Sequence, residues 1–419
     1  MTNEVRLRKL STIEASMAHM HAHLCGNGQV TTLLTLKGCF SKERLKAAVL
    51  RLFHRFQVLG CYIREESDEL FFYSHNDFSR IEPEFVVLAT PAEPDRLIEE
   101  EVNGVLDSSQ VLCRFRIVEV MATGRTHVLF TRHHAISDAF TTERMCGEFL
   151  RYLGEESGEP DADDAAQGLI EIGMGADAWA AQNGSIMNSA KPPRGIAAPI
   201  PHVCKVPLSE RQSGVVSRIL EPEVTERVID YAKQNDVTIN SLVSAALSRV
   251  VCNVLERHEV ELFSAVSLRK RLVEGRIVDE PGCYISVQNG TVCPGDLPLA
   301  SLAQTVGDDL RRAIGDNPPV PAPHEAIRTR IEGMGRAHMF FGVGITNMGK
   351  IELAGSTSGI QVEDFRSAVN RSGGLALLVL HISSFQGRLY FVFTYPLQLA
   401  SNETINQVVA QLTATLAAL

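Results

Sequence analysis

The stretch THVLFTRHH (126–134) places three large apolar residues, Val128, Leu129 and Phe130, in succession and runs directly into DAFTTERMCGEFLRYL (138–153). Neighbouring strand residues face opposite sides of a sheet. An unbroken apolar run therefore needs cover on both faces, which predicts a central strand. CRFRIVEV (113–120) alternates and reads as its half-buried neighbour, joined through a turn containing Gly124. Residues 138–153 read as a helix with Phe140, Met145, Phe149 and Leu150 as apolar contacts. A histidine pair thus sits at the end of a buried strand, and Asp138 at the start of a helix.

The same mixture recurs along the chain. QVTTLLTLK (29–37) reads as a strand, and Ser41 can cap a helix whose stripe is Leu45, Ala48, Val49, Leu52, Phe53 and Phe56. Residues 60–74 read as a hairpin and 91–105 as a helix. The character changes over 154–205, first acidic and rich in small residues, then proline-rich, which predicts a partly mobile linker. After it the pattern restarts. A strand (215–220), a helix (222–235) and a long helix capped by Thr238 precede strands at 261–271, 284–292, 339–349, 376–385 and 389–396. Helices are expected near 298–316 and 403–418. There is no internal repeat. The chain therefore reads as α/β, an N-terminal subdomain (1–153) and a C-terminal subdomain (206–419) separated by the linker (154–205), each a mixed sheet with helices.

Composition bounds the function. With 419 residues, 45% hydrophobic, the chain is long enough for two cores. A net charge of −10 supplies no basic field for nucleic acid. No stretch of eighteen apolar residues suggests a membrane span, and the N-terminus lacks the apolar run of a signal peptide. The nine cysteines form no CxxC pair and read as buried reduced thiols of a cytoplasmic protein.

The chemistry concentrates in TRHHAISDAF (131–140). Histidine has the side chain whose free pKa lies nearest neutrality, so it suits general-base work. At a strand end, one of His133 and His134 can face a cavity while the other packs away from it. Asp138 could bond the imidazole directly, cap the helix that follows, or pair with an arginine and fix the loop.

HHAISDAF resembles the HHxxxDG signature of the chloramphenicol-acetyltransferase-like superfamily, which holds condensation domains, HxxxD acyltransferases, wax-ester synthases and polyketide-associated acyltransferases. LSTIEASM (10–17), SKERLKAAVLRLFHRFQVLGCYI (41–63), NDVTINSLVSAALSRVV (235–251), AVSLRKRL (265–272) and GITNMG (344–349) are similar to further segments of that group. Size and VSLRKRL look closest to the phthiocerol dimycocerosyl transferase-like branch. The resemblance covers nearly everything except the linker. It implies two chloramphenicol-acetyltransferase-like subdomains with an active-site tunnel between them.

It also implies roles. His134 would be the general base, taking a proton from an acceptor hydroxyl or amine as that atom attacks a thioester carbonyl. Asp138 would pair with Arg269 and hold the loop, with Arg271, expected on the same strand face, as the alternative partner. His133 would pack or orient the loop through a backbone hydrogen bond. Asn347 and Thr346 are candidate contacts for the oxyanion or substrate; an oxyanion donor contributes about 3–4 kcal/mol in other acyl-transfer enzymes. No cofactor is expected beyond the phosphopantetheine arm of the donor, an acyl-CoA or acyl carrier protein. The acceptor would be a small alcohol or amine, and a monomer is expected. Ester formation is the first expectation. Amide formation, as by a free-standing condensation enzyme in non-ribosomal peptide synthesis, is the alternative, along with a non-catalytic relative that binds a carrier protein or acylated ligand. An epimerase would need a second acid–base group such as a glutamate.

One position departs from the signature. Ala139 stands where glycine is usual, which puts the backbone geometry of the loop in question. Elsewhere, His19, His21 and His23 would share a face in a strand and could bind a metal; in a helix only His19 and His23 would. The resemblance makes that segment a helix, so no metal is expected. Ser137 lacks the GxSxG setting of a serine nucleophile.

Overall fold

The computed structural model describes residues 4–155, 168–182, 197–316, 321–353 and 359–419. The first half runs β1 (Val5–Lys9), α1 (Thr12–His23), β2 (Val30–Lys37), α2 (Lys42–Arg55), β3 (Cys61–Glu66), β4 (Glu69–Ser74), β5 (Glu84–Leu88), α3 (Pro94–Asn103), β6 (Cys113–Val120), β7 (Arg125–Arg132) and α4 (Ala139–Gly154). The rest runs α5 (Ala176–Gln182), β8 (Ile200–Pro201), β9 (Ser213–Ile219), α6 (Pro222–Gln234), α7 (Ile239–Val254), β10 (Val260–Ser267), β11 (Ile285–Val292), α8 (Leu299–Asp316), α9 (His324–Gly335), β12 (Met339–Phe340), β13 (Val343–Lys350), β14 (Val362–Val369), β15 (Val379–Phe385), β16 (Arg388–Pro396) and α10 (Asn402–Ala417).

Local chemistry sets many of these boundaries. Ser41 Oγ accepts from the Arg44 N–H and opens α2; Thr238 does the same for Ser241 at α7. The β3–β4 hairpin turns on Ser67 and Asp68, both with positive φ (49° and 65°), the primed geometry that matches strand twist.

Two mixed sheets result. The first has the order β14-β2-β7-β6-β5, with β7 in the middle. The second has the order β11-β10-β13-β15-β16-β9, in which β10, β13 and β15 are parallel. β14 comes from the second half of the chain yet completes the first sheet, pairing antiparallel with β2.

The apolar run of β7 is covered on both faces. Val128 and Phe130 join Leu34, Leu36, Phe115 and Ile117 in the core shared with α2 and α4. Leu129 faces the other way, with Leu33, Val118 and Val120 against Leu97, Ile98 and Val102 of α3. That layer also takes in Val215 and Val392 of the second sheet, so α3 lies between the sheets. It also covers the free edge of β9. Glu99 accepts from the Val215 N–H (2.9 Å), Asp95 from the Ser217 N–H (2.7 Å), and Asn103 bonds both backbone groups of Ser213. An open edge is an aggregation hazard; here the other half of the chain closes it. The second core packs α7, buried almost all round, with residues of α8, α10 and the six-stranded sheet.

The structure corrects several local readings. The strand expected over 261–271 stops at Ser267. Leu268 N bonds Tyr284 O, the chain turns so that Arg271 N reaches Leu268 O (2.7 Å), and Arg271 ends exposed, off the strand and not beside Arg269. β1, β5, β14 and α9 were not evident in the sequence. Five cysteines are buried, Cys25 is half-buried, and Cys39, Cys204 and Cys293 are exposed, so burial does not hold for all nine; none is in a disulfide. Of the stretch 154–205, residues 156–167 and 183–196 lie outside the described residues. The described part between them is held in place: Trp179 Nε1–H and Met174 N–H both donate to Glu280, and Asp177 accepts from Thr12 N–H and Oγ1–H. Among the described residues no single helix is long and apolar enough to cross a membrane.

α1 starts on a buried polar knot. Glu14, fully buried, accepts from both terminal nitrogens of Arg8 (2.8 Å each) and from the Ser11 N–H (2.7 Å), closing a capping box. Removing the acid strands a guanidinium and a helix-end donor together. Glu14→Ala is expected to destabilise the protein by about 3–5 kcal/mol in urea unfolding, with Glu14→Gln intermediate.

Candidate active site

β7 ends at Arg132, and the next six residues form two caps in succession. His133 caps a single 3-10 turn (His134–Ile136), its Nδ1 accepting from the Ala135 N–H at 3.0 Å. Asp138 caps α4, its Oδ1 accepting from the Thr141 N–H at 3.0 Å. Ser137 between them accepts from Arg132 Nε at 2.7 Å. Each polar side chain of the motif except His134 is therefore tied to the protein.

Asp138 does more than cap. Arg269 meets it with a fork, Nε to Oδ2 at 2.7 Å and Nη2 to Oδ1 at 2.9 Å, and the side chains are only 4% and 2% exposed. The other Arg269 donors reach Thr141 Oγ1 and the carbonyls of Val278, Glu280 and Gly282. Phe140 and Tyr284 rings lie 4.6 Å from the guanidinium. Asp138 also accepts from the Tyr284 N–H at 3.2 Å. A buried ion pair is tolerated only when its remaining hydrogen-bonding groups are satisfied, and here they are. Gly282 contributes through its backbone: at φ +148° its carbonyl accepts from Asp138 N–H, Thr141 Oγ1 and Arg269 Nη2. The loop after β10 is thus fastened to the N-terminus of α4.

This arrangement leaves His134 as the free imidazole. It is half-buried, and burial pushes its pKa down to about 4, with Arg132 and Arg371 adding to the shift and its own backbone carbonyl and Asp138 opposing it. The ring is neutral at pH 7. Nδ1 lies 3.6 Å from Cys283 Sγ. In the tautomer with the proton on Nδ1, the lone pair is on Nε2. Among the described residues Nε2 has no hydrogen-bond partner and is not sealed from solvent. Asp138 does not bond His134; its carboxylate is fully committed to Arg269, Thr141 and Tyr284. His133 is fully buried with Nε2 unpartnered, and packs on His21 with ring centroids 4.6 Å apart.

Ala139, the departure from the signature, opens α4 and is not among the residues with positive φ. A methyl group meets no conformational penalty there.

Thr346 and Asn347 lie on β13, where Thr346 aligns with His381 of β15. Asn347 Oδ1 accepts from the Gly349 N–H at 2.8 Å, capping its own strand end. Neither residue bonds His134. His19, His21 and His23 lie on α1 and do not converge. His19 and His23 stack at 5.6 Å, while His21 turns to Gln29 and His133. Among the described residues no group of three potential ligands could hold a metal.

Sequence reasoning missed three neighbours of His134. Cys283 touches it; His381 and Arg371 act on it electrostatically from the second half of the chain. The lone histidine in ALLVLHISSF was the one available signal. Arg132 was visible beside the histidine pair but its role was not: burial lowers it to about 10, and it bonds Ser137, Thr32 and the Phe130 carbonyl.

Comparison with known proteins places this geometry. Residues 210–395 match the family described as phthiocerol/phthiodiolone dimycocerosyl transferase C-terminus. No curated protein sequence matches the chain. Among solved structures, polyketide synthase associated protein 5 from Mycobacterium tuberculosis is similar over 99% of both chains at 16% identity, TM-score 0.69. Trichothecene 15-O-acetyltransferase from Fusarium sporotrichioides is similar over 99% of this chain and 96% of its own at 11% identity, TM-score 0.72. The first condensation domain of the calcium-dependent antibiotic synthetase is similar over 100% and 97% at 13% identity, TM-score 0.69.

The Asp138–Arg269 fork has a measurable consequence. Asp138→Ala leaves a guanidinium buried without its counter-charge and α4 without its cap, and is expected to cost about 3–5 kcal/mol in urea unfolding. Arg269→Lys, which cannot form the fork, should fall between it and the native protein. A native urea midpoint for Asp138→Ala would show that the pair does not hold the loop.

Fold and sequence match point the same way: the chain has the two-subdomain fold that these acyltransferase and condensation-domain structures share, and residues 210–395 match the phthiocerol/phthiodiolone dimycocerosyl transferase C-terminal family.

Proposed function

We propose that the chain is an acyltransferase that moves an acyl group from a phosphopantetheine thioester, on CoA or a carrier protein, to an acceptor hydroxyl. The observation that carries this reading is His134: a half-buried ring that meets Cys283 of the second half through Nδ1 and whose Nε2 has no partner among the described residues. The likeness to an O-acetyltransferase and to a polyketide-associated protein supports ester formation.

In this mechanism the acceptor hydroxyl gives its proton to His134 Nε2 as its oxygen attacks the thioester carbonyl. The carbon–oxygen bond forms and the carbonyl π pair moves onto oxygen. For that oxyanion the second sheet offers the Thr346 hydroxyl and the Asn347 Nδ2–H. Collapse breaks the carbon–sulfur bond. The departing sulfur takes the proton from His134, giving a free thiol and the ester. The imidazolium formed in between has no carboxylate partner, because Asp138 is committed elsewhere. Its proton therefore transfers readily to the leaving thiolate. Asp138, Arg269 and His133 act as positioning residues.

The test is release of free thiol from acyl-CoA and acyl-pantetheine thioesters with a panel of alcohols and amines. His134→Ala should abolish release while retaining the native melting transition; unchanged turnover in this variant would sink the mechanism. The pH profile gives a second check. A general base must be deprotonated, and burial holds this one near 4. The acid limb of kcat/KM should therefore lie well below the ordinary histidine value of about 6.5. A limb at 6.5 would mean that another group is the base.

A further inference from the structure

Acyl transfer by His134 leaves one charge at the site unused. Arg371 follows β14, and its backbone is anchored on both sides. Its N–H donates to Ser213 Oγ at 2.6 Å, and its carbonyl accepts from the Gly374 N–H at 3.0 Å. The side chain lies close enough to His134 and His381 for its charge to depress both rings. Its Nε is sealed from solvent without a partner. Among the described residues the guanidinium forms no hydrogen bond and no ion pair, and its two terminal nitrogens are not sealed.

Other buried and half-buried arginines differ. Arg269 has Asp138, Arg132 has Ser137 and Thr32, and Arg366 has Asp364 and Asp95. A half-buried guanidinium with its Nε sealed and unpartnered is costly unless something supplies a counter-charge.

We propose that Arg371 binds a carboxylate on the substrate, placing a carboxylated acceptor or acyl group beside His134. A guanidinium presents a planar fork that a carboxylate meets with two parallel hydrogen bonds. The charge count favours a monoanion. Among the described residues the other cation that lowers His134 is Arg132, which is held by Ser137, Thr32 and the Phe130 carbonyl, so a phosphate dianion would stay half-compensated. The position beside the base rests on the acyl-transfer reading above; the anion site itself does not.

The first test is binding without turnover, on the full chain. Hexanoate should raise the melting temperature saturably, and hexanamide and sulfate should not. Arg371→Gln should weaken hexanoate binding by about 10- to 100-fold, the range for a lost hydrogen bond to a charged group. His134→Ala should bind hexanoate as the native protein does, which separates this proposal from the mechanism. Arg371→Lys restores the charge without the fork, should recover part of the affinity, and replaces the glutamine variant if that one loses its melting transition. Equal binding by the Arg371 variants, or equal protection by hexanamide or sulfate, overturns the proposal. The second test is kinetic. Arg371→Gln should raise KM for hydroxy acids used as acceptors, or for half-thioesters of dicarboxylic acids used as donors, by far more than it changes kcat/KM on neutral pairs. The affected arm identifies which substrate bears the carboxylate. An equal loss of kcat on neutral and carboxylated substrates would assign the charge to the transition-state oxyanion and overturn it.

Discussion

Asp138 and Arg269 stand 131 positions apart in sequence and 2.7 Å apart in space. Much of the site depends on that contact. It sets the first turn of α4, and through Gly282 and Tyr284 it draws in the loop that brings Cys283 against His134. A lone surface ion pair would do little of this, because water and side-chain entropy cancel most of its attraction. This one is enclosed, with the guanidinium donors and the carboxylate oxygens all bonded to protein groups. Its worth is geometric: with so many bonds to satisfy, the loop has few other conformations that leave none of them broken.

In the proposed mechanism the fixed frame holds His134 in place as the base. His134 draws on no carboxylate to orient it. Its Nδ1 meets Cys283, and burial disfavours the protonated ring. The charges around it are asymmetric. Arg132 and Arg371 both disfavour the imidazolium, while the nearby acid is already occupied. Such a site suits a proton held briefly between two partners better than one stored on the ring.

Much of this was legible in the sequence because the informative residues are local. The apolar run at 128–130, the caps at Ser41 and Thr238, and the motif at 133–138 announce themselves over a few positions. The Asp138–Arg269 pairing came from resemblance rather than from spacing. What stayed hidden depends on distant partners. β14, VEDFRSAV, reads as polar because Asp364 and Arg366 interrupt it; those charges pair with each other and with Asp95 once the strand is in place. Arg371 offers no pattern at all, since its lack of a partner among the described residues shows only in the folded chain. The strand at 261–271 was read too long because SLRKR continues the alternation, whereas Leu268 and Arg269 both turn inward.

β14 gives the molecule a woven rather than a beaded construction. Its hydroxyl contact, Thr32 to Ser367, spans 335 positions, and β2 has no other partner on that side. In return α3, from the first half, closes the edge of β9. Each half thus finishes a border of the other. A chain cut between them would expose a raw strand edge on both pieces. Synthesis from the N-terminus leaves β2 waiting until residue 369 has emerged, so the last stage of folding closes very long loops. Recombination at the linker, which looks like a natural seam in the sequence, would exchange pieces that do not fold as closed sheets.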